Sequence, residues 1–210
     1  MARLTDAPAG DALVDEYGVY RGTAGKDVVR MEGDGPYYDT LYGLGGDDEF
    51  YVDSDSRGFE FFGGDGSDLI SGYAIYATAH GDAGNDRISL SGEAVDVEGG
   101  AGNDTVRVAA QSASVRGGDG DDLLDVVGFP YGGFVDGGAG NDTLLVGAQI
   151  DYGGDRAVAR GGSGNDTISA HPDLRPGYVY HGIDANGGAG RDVLTGSDHA
   201  EFGADLLYGG

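Results

Sequence analysis

The sequence contains no cysteine and no tryptophan, and only 5 of its 210 residues are proline. The absence of cysteine excludes disulfide bridges and thiolate metal sites. No run of apolar residues is long enough to span a bilayer. The N-terminal segment, which begins Met-Ala-Arg-Leu-Thr-Asp, has no apolar stretch of the kind that a cleavable secretory signal requires.

Positive charge is also scarce. The chain has 12 Lys and Arg against 37 Asp and Glu, which gives a formal net charge of -25. Like charges repel, so nucleic acids and anionic membranes are disfavoured as partners. Glycine, in contrast, is abundant at 44 residues and shows no collagen-like three-residue period. This composition fits neither a conventional compact domain nor simple disorder, because the apolar residues are regularly placed.

One glycine-rich phrase organises the chain. Residues 99–104 read Gly-Gly-Ala-Gly-Asn-Asp and begin a match to G-G-x-G-x-D-x-U-x, where U is a large apolar residue. Complete copies of this motif begin at Gly63, Gly99, Gly117, Gly137, Gly161 and Gly187. Looser copies begin at Gly22, Gly43 and Gly81. A loop that is repeated this faithfully indicates a function for the loop itself.

The residue types of the motif suit a hard metal ion. Glycines let the backbone turn sharply, so that carbonyl oxygens point to one place, and the sixth-position Asp adds a carboxylate. Such an all-oxygen site favours Ca²⁺, whose six to eight ligands must come from two stacked loops. Nine motifs leave eight gaps, so we expect about eight Ca²⁺ ions. The candidate metal-binding residues are Asp27, Gly43, Gly45, Asp48, Gly63, Asp65, Asp68, Gly81, Ala83, Asp86, Gly99, Ala101, Asp104, Gly117, Asp119, Asp122, Gly137, Ala139, Asp142, Gly161, Ser163, Asp166, Gly187, Ala189 and Asp192.

These motifs resemble the RTX (repeats-in-toxin) calcium-binding repeat family over nearly all of residues 22–210. The resemblance implies an all-β, right-handed parallel β-roll with Ca²⁺ between adjacent loops, preceded by a cap and first strand at residues 1–21. In the commonest family pattern the motif recurs every nine residues on both edges of the roll. Here the motifs begin 18 to 26 residues apart. We therefore expect one full turn per motif, about ten turns, and calcium loops mainly along one edge.

Alternating apolar residues between the motifs predict strands with one buried face. The second residue after each motif Asp is Val29, Phe50, Ile70, Ile88, Val106, Leu124, Leu144, Ile168 or Leu194. Two residues before the first motif glycine stand Tyr20, Leu41, Phe61, Ala79, Val97, Val115, Val135, Ala159, Ala185 and Leu207. Two such rows facing each other predict a thin core between an outgoing and a return strand in each turn.

The resemblance also implies a biological role. Family members leave bacterial cells by type I secretion with an uncleaved C-terminal signal, and they fold on meeting extracellular calcium. We expect a secreted, non-catalytic module with structural or adhesive roles, whose partners are calcium and possible cell-surface polysaccharide or other domains of the same parent chain. Gly209 and Gly210 are the first letters of a further motif, which predicts a C-terminal truncation of a longer protein.

Three alternatives stay open at the sequence level. Without calcium, such an acidic chain is expected to be disordered. Parallel β-helices include uronate lyases and epimerases, and a groove for such a polysaccharide-active enzyme is hinted at by Tyr131, Tyr152, Arg156, Arg175, Tyr178 and Tyr180. A carbohydrate-binding adhesin would instead use the Tyr and Phe side chains. No zinc-helix, serine-elbow or cysteine-nucleophile motif is present, and the four histidines, His80, His171, His181 and His199, lack metal-ligand spacing.

Overall fold

The computed structural model describes residues 3–4, 13–14, 19–32, 39–53, 58–128, 132–150, 156–170, 179–180, 182–196 and 205–210. Within these residues the chain is a β-solenoid without helices, as the sequence predicts. The strands are β1 Arg3–Leu4, β2 Leu13–Val14, β3 Val19–Arg21, β4 Val28–Glu32, β5 Asp39–Gly45, β6 Glu49–Asp53, β7 Phe59–Asp65, β8 Leu69–Tyr73, β9 Tyr76–Ala83, β10 Arg87–Ala101, β11 Thr105–Asp119, β12 Leu123–Gly128, β13 Gly133–Ala139, β14 Thr143–Ile150, β15 Ala157–Ser163, β16 Thr167–Ala170, β17 Val179–Tyr180, β18 Asp184–Ala189, β19 Val193–Thr195 and β20 Leu206–Tyr208.

The strands form two parallel faces. The outgoing face follows each motif and contains β4, β6, β8, the first halves of β10 and β11, β12, β14, β16 and β19. The return face precedes each motif and contains β3, β5, β7, β9, the second halves of β10 and β11, β13, β15, β18 and β20. Each strand pairs with the equivalent strand of the next turn.

The motif loops stack on a single edge of the solenoid, which confirms the one-edge arrangement. Gly100 pairs with Gly118 and Ala101 with Asp119, so successive motifs lie directly above one another. We call this side the motif edge. The opposite side, the far edge, joins the outgoing strand to the return strand, and β10 and β11 cross it without interruption.

The predicted count of ten turns is slightly too high. Among the described residues, nine turns carry both an outgoing and a return strand, and the seven between the first and the last have a paired neighbour on both sides. The regular solenoid therefore has about seven fully enclosed turns.

The core is the space between the two faces, and its residues are those that the alternation predicts. Phe50, Ile70, Val106 and Leu124 on the outgoing face are completely buried. From the third turn onward the return face contributes smaller side chains, such as the fully buried Ala79. In these turns the asymmetry keeps the two faces close together, so the core is thin.

Two of the predicted inward residues depart from this burial: Leu194 is partly buried, and Leu207 is exposed. Leu207 lies in register with Ala185 in the return column, yet 42% of its surface is exposed. Among the described strands, β20 pairs with β18 alone, so no further turn covers its other side. The inward register of Leu207 is therefore correct, but its burial is not.

Antiparallel strands lie at the N-terminal end of the stack. Strand β1 pairs with β4 and strand β2 pairs with β3, both in antiparallel orientation. Tyr20 on β3 is buried and its ring meets Phe50 edge-on at 6.5 Å. A third antiparallel pair, β14 with β17, joins Gln149 to Tyr180.

The motif glycines have the backbone conformations that the loop demands. The second and fourth motif residues adopt positive φ in every described motif after the first, as at Gly100 (φ 115) and Gly102 (φ 129). A Cβ on Gly102 would collide with the carbonyl of Gly84 in the preceding turn. Glycine is thus required at the fourth position both for its φ and for close stacking.

Candidate metal site at the motif edge

The sixth-position aspartates form a buried column at the motif edge. Nine carboxylates point inward from successive loops, where the chain turns into the outgoing strand. Asp27, Asp48, Asp68, Asp86, Asp104, Asp122, Asp142 and Asp166 are at most 2% exposed, and Asp192 in the last loop is half-buried. A column of buried, like-charged groups is costly unless each charge is compensated.

Each carboxylate from Asp48 to Asp192 uses one oxygen to hold the preceding turn. The backbone N–H of Asp86 donates to Oδ1 of Asp104 at 2.8 Å, and the N–H of Asp104 donates to Oδ1 of Asp122 at 2.7 Å. The same bond joins the pairs Asp27–Asp48, Asp48–Asp68, Asp68–Asp86, Asp122–Asp142, Asp142–Asp166 and Asp166–Asp192. We call these bonds the inner ladder.

The second oxygen of each carboxylate is buried and has no hydrogen-bond partner. This holds for Oδ2 of Asp48, Asp68, Asp86, Asp104, Asp122, Asp142, Asp166 and Asp192. The first motif differs, because Oδ2 of Asp27 accepts the N–H of Thr23 in its own loop at 2.6 Å and Oδ1 is the oxygen without a partner. Unpaired buried carboxylate oxygens are rare in native proteins and call for a positively charged ligand or a proton.

The first-position glycine marks the point that these oxygens face. A Cβ on Gly99 would collide with Oδ2 of Asp104 in its own loop and with the carbonyl oxygen of Gly117 in the next loop. The same two kinds of oxygen converge beside the first glycine of eight loops, those beginning at Gly22, Gly43, Gly63, Gly81, Gly99, Gly117, Gly137 and Gly161. A carboxylate and a carbonyl oxygen that converge from adjacent turns are donors suited to a hard cation.

Burial disfavours the ionised form of these carboxyl groups. Desolvation raises the pKa of Asp48, Asp86 and Asp122 to about 7, and the pKa of Asp104 and Asp142 to about 6, against the opposing effect of the ladder hydrogen bond. It also raises the pKa values of Asp68 and Asp166. Without a cation, the column holds protons in the pH range where free carboxyl groups have lost them.

The third-position carbonyls, which the sequence also nominates as ligands, already have a hydrogen-bond partner. The N–H of Gly102 donates to the carbonyl of Asp119 at 2.7 Å, and the N–H of Gly84 donates to the carbonyl of Ala101 at 2.8 Å. A carbonyl oxygen has two lone pairs, so one remains on each of these groups. The first-position carbonyl and the Asp Oδ2 are therefore the better-placed pair.

The site does not depend on clustered side chains. Within the residues that the structure describes, no group of three or more His, Cys, Asp or Glu side chains is placed to hold a metal ion. Each loop instead directs one carboxylate, that of its sixth residue, into the column among backbone oxygens. This donor set fits Ca²⁺, which accepts carbonyl ligands readily, and does not resemble a histidine-rich transition-metal site.

Among the residues of the alternative hypotheses, the structure describes the side chains of His80 and Arg156, and each has a charged neighbour. His80 stacks on Phe62 with ring centroids 4.9 Å apart, and its Nδ1 lies 3.5 Å from Oε2 of Glu98. Arg156 forms a 2.8 Å ion pair with Asp184. The other histidines and the groove residues Tyr131, Tyr152, Arg175 and Tyr178 lie outside the described residues, and only the backbone of Tyr180 is described.

Aromatic side chains of successive turns stack in a row on the return face. Tyr42 stacks on Phe62 at 4.9 Å, Phe62 stacks on His80, and Arg21 lies over the Tyr42 ring. A sugar ring binds the exposed face of an aromatic side chain, but here the faces cover one another. The row therefore stabilises the return face by cross-strand packing.

Comparison with known families agrees with the motif analysis. The profile of the RTX calcium-binding nonapeptide repeat family matches residues 34–56, 60–74, 80–112, 98–126, 134–152, 151–172 and 184–210. These matches cover more than half of the chain, and the protein belongs to this family of calcium-binding repeats. Such repeats are generally structural rather than catalytic, and proteins that carry them are typically secreted by bacteria. No curated protein and no solved structure matches the chain.

A search for membrane-spanning helices gave a negative result. None of the described residues belongs to a helix long and apolar enough to cross a bilayer.

Proposed function

We propose that this chain is an extracellular calcium-binding β-roll module that folds when Ca²⁺ binds between its stacked loops. The observation that carries the proposal is the pairing of an unpartnered Asp Oδ2 with the first-position carbonyl of the next loop, at the seven successive gaps from Asp48 to Asp166. The ligands proposed are the sixth-position Asp carboxylates and the first-position carbonyls, with the third-position carbonyls contributing their second lone pair. About eight ions are expected.

Calcium supplies the positive charge that the buried column lacks. A deprotonated carboxylate that is buried without a partner destabilises the folded chain. A divalent ion between two turns compensates that charge and links the turns, so that binding and stacking occur together. Eight divalent ions would change the formal net charge from -25 to about -9.

The expected free energies are sufficient for calcium to control folding. A site with a dissociation constant of ~0.1 mM gains roughly 1.4 kcal/mol at ~1 mM Ca²⁺. Eight such sites together contribute on the order of 11 kcal/mol, which is comparable with the entire stability of a typical domain. The chain is then unfolded at low calcium inside the cell and folded outside it.

This behaviour suits a type I secreted bacterial protein. A chain that stays unfolded until it leaves the cell passes through an export channel more easily than a folded one. The module, residues 22–210 with residues 1–21 as its cap, would then serve folding after export and a structural or adhesive role, without catalysis of its own. Family membership supports the secreted location, since such repeats are typical of secreted proteins.

The proposal is tested by titrating the calcium-free chain with Ca²⁺ and, separately, with Mg²⁺. Far-ultraviolet circular dichroism should show a cooperative gain of β structure with Ca²⁺ and little change with equal Mg²⁺, since Mg²⁺ demands stricter octahedral geometry and loses water reluctantly. Isothermal titration calorimetry should count about eight ions. A β spectrum that is already complete in chelator would refute calcium-driven folding.

A further inference from the structure

A second row of side chains joins the motif loops on the solvent side of the aspartate column. It consists of the fifth motif residues, which are exposed in each described loop. The row is Lys26, Asp47, Ser67, Asn85, Asn103, Asp121, Asn141, Asn165 and Arg191. No Ca²⁺ contact is assigned to these residues, since their side chains point away from the buried column.

Most of these side chains accept a backbone hydrogen bond from the following loop. The N–H of Asp121 donates to Oδ1 of Asn103 at 2.9 Å, and the N–H of Asn141 donates to Oδ1 of Asp121 at 2.7 Å. The same bond joins Asp47 to Ser67, Asn85 to Asn103, Asn141 to Asn165 and Asn165 to Arg191. We call these bonds the outer ladder.

The outer ladder runs in the opposite direction to the inner one. The N–H of Asp104 donates forward to the next loop, whereas the N–H of Asn103 donates back to the preceding loop. Backbone bonds continue this alternation on both sides, since Gly102 donates forward to Asp119 and Thr105 donates back to Asp86. Side-chain oxygens at positions five and six thus replace the carbonyls of a parallel ladder where the backbone turns.

We propose that the fifth-position Asn and Asp side chains are positioning residues for the calcium loops. By fixing the fifth residue of each loop against its neighbour, they stabilise the stacked state in which the adjacent sixth-position carboxylate is in register with the next loop. Part of the ordering cost of binding is then met by a metal-independent contact, which raises calcium affinity. The inference deepens the proposed calcium function and depends on it.

The outer ladder is interrupted in two described places. Ser67 stands where most loops have Asn or Asp, and within the described residues no bond joins its side chain to the N–H of Asn85. Lys26 likewise offers no acceptor to Asp47, and its ammonium group pairs with Glu49 instead. The interruption at Ser67 provides a test by gain of function, because Asn or Asp fits this exposed position in neighbouring loops.

The test measures the calcium midpoint by circular dichroism and the number of bound ions by calorimetry, on the full chain. Asn103→Ala should raise the midpoint about fivefold with the number of ions unchanged, and Asn103→Asp should restore it to within about twofold. Gln111→Ala, which removes an exposed amide from β11 of the same turn, is the matched control and should have no effect.

Ser67→Asn should lower the midpoint severalfold, while Ser67→Ala should leave it unchanged. The proposal is overturned if Asn103→Ala behaves like Gln111→Ala and Ser67→Asn behaves like Ser67→Ala. Loss of bound ions in Asn103→Ala would also overturn it, since the side chain would then be a ligand. If the unaltered chain binds no calcium, the proposed function itself fails and the positioning role fails with it.

Discussion

The two edges of this solenoid close the space between its two faces with different kinds of side chain. At the motif edge, the inward residue that starts each outgoing strand is an Asp with an unpartnered oxygen. At the far edge, the inward residues at the start of the return strands are mainly apolar and buried: Phe59, Ala77, Val95, Ala113, Ala157 and Ile183. The far edge is thus closed by packed apolar side chains, whereas the motif edge carries buried carboxylate oxygens whose charge requires a cation.

The difference explains where the chain tolerates variation. Every motif loop has the same six-residue span, because the oxygens of adjacent loops must converge on one point. The far-edge connections differ in length and include the short turn around Gly92 and the longer stretch before Arg156. Apolar packing has no comparable demand for fixed geometry, so insertions accumulate there.

Two aspartates at the far edge qualify the contrast. Its inward column begins with Asp39 and ends with Asp205 among the described residues. Desolvation raises the pKa of Asp39 to about 6, and its Oδ2 is buried without a partner. Oδ1 of Asp205 accepts the N–H of Ile183 at 2.7 Å, as the motif aspartates do for their neighbours. The seven positions between these two aspartates carry no acidic residue.

The largest effect is expected from filling the space beside a first-position glycine. Gly99→Ala places a Cβ against Oδ2 of Asp104 and the carbonyl of Gly117, so the two loops must separate. We expect a loss of about 2–4 kcal/mol in unfolding free energy at saturating calcium, and at least one ion fewer. The control is Gly25→Ala, where nothing lies within 4 Å of the added carbon. Equal losses in the two variants would show that the convergence at Gly99 is unimportant.

Lowering the pH should stabilise the calcium-free chain through the aspartates of the motif edge and weaken calcium binding there. Desolvation raises the folded pKa from 3.8 to about 7 for Asp48, Asp86 and Asp122 and to about 6 for Asp104 and Asp142, so the protonated form of these five groups favours the folded state. Their stabilising contribution is complete below about pH 4 and is lost as the pH rises through 6 to 7. The calcium-free chain should therefore gain β structure between pH 7.5 and 5, while calcium affinity falls over the same range. Circular dichroism in chelator that stayed flat across this range would contradict the assignment.

Removing one charge from the column should have opposite effects with and without calcium. Asp104→Asn keeps an acceptor for the N–H of Asp86 but removes the charge. We expect about 1 kcal/mol of stabilisation in chelator and a higher calcium midpoint, with one or two ions fewer by calorimetry. Asp27→Asn in the atypical first loop should be milder. A variant that lost stability under both conditions would indicate that the charge serves another purpose.

The smallest effect on the number of bound ions is expected at the far edge. Val95→Ala removes two methyl groups from a buried position and should lower the unfolding free energy by about 1–2 kcal/mol. The number of bound ions should not change, because no motif oxygen contacts this side chain. A reduced ion count in the calorimetric titration would mean that the two edges are not separate in function.

Much of this arrangement can be predicted from the sequence, because the period of the motif and the alternation of apolar residues are local signals. They predict the β class, the single motif edge and the burial of residues such as Ile70 and Ala79. Register alone does not predict burial, as Leu207 shows, since burial also requires a covering turn. The predicted count of ten turns is too high because it includes turns at the ends of the stack, which have a paired neighbour on one side at most.

The two ladders could not be predicted, because each bond joins residues 18 to 26 positions apart and depends on how the loops stack. The different roles of the two oxygens of one carboxylate, with Oδ1 in the ladder and Oδ2 beside the first glycine of its own loop, have no counterpart in the residue pattern. A signal for the outer ladder does exist, in the recurrence of Asn or Asp at the fifth motif position. An exposed Asn in a loop is easily attributed to ordinary turn chemistry, which conceals that signal.

The most direct test is the anomalous scattering of crystals soaked with terbium, which replaces calcium at oxygen sites. The account predicts a single row of peaks along the motif edge. Each peak should lie between the Oδ2 of one loop and the first-position carbonyl of the next, near Asp48, Asp68, Asp86, Asp104, Asp122, Asp142 and Asp166. Two parallel rows of comparable occupancy on opposite edges, or peaks distant from the aspartate column, would contradict it.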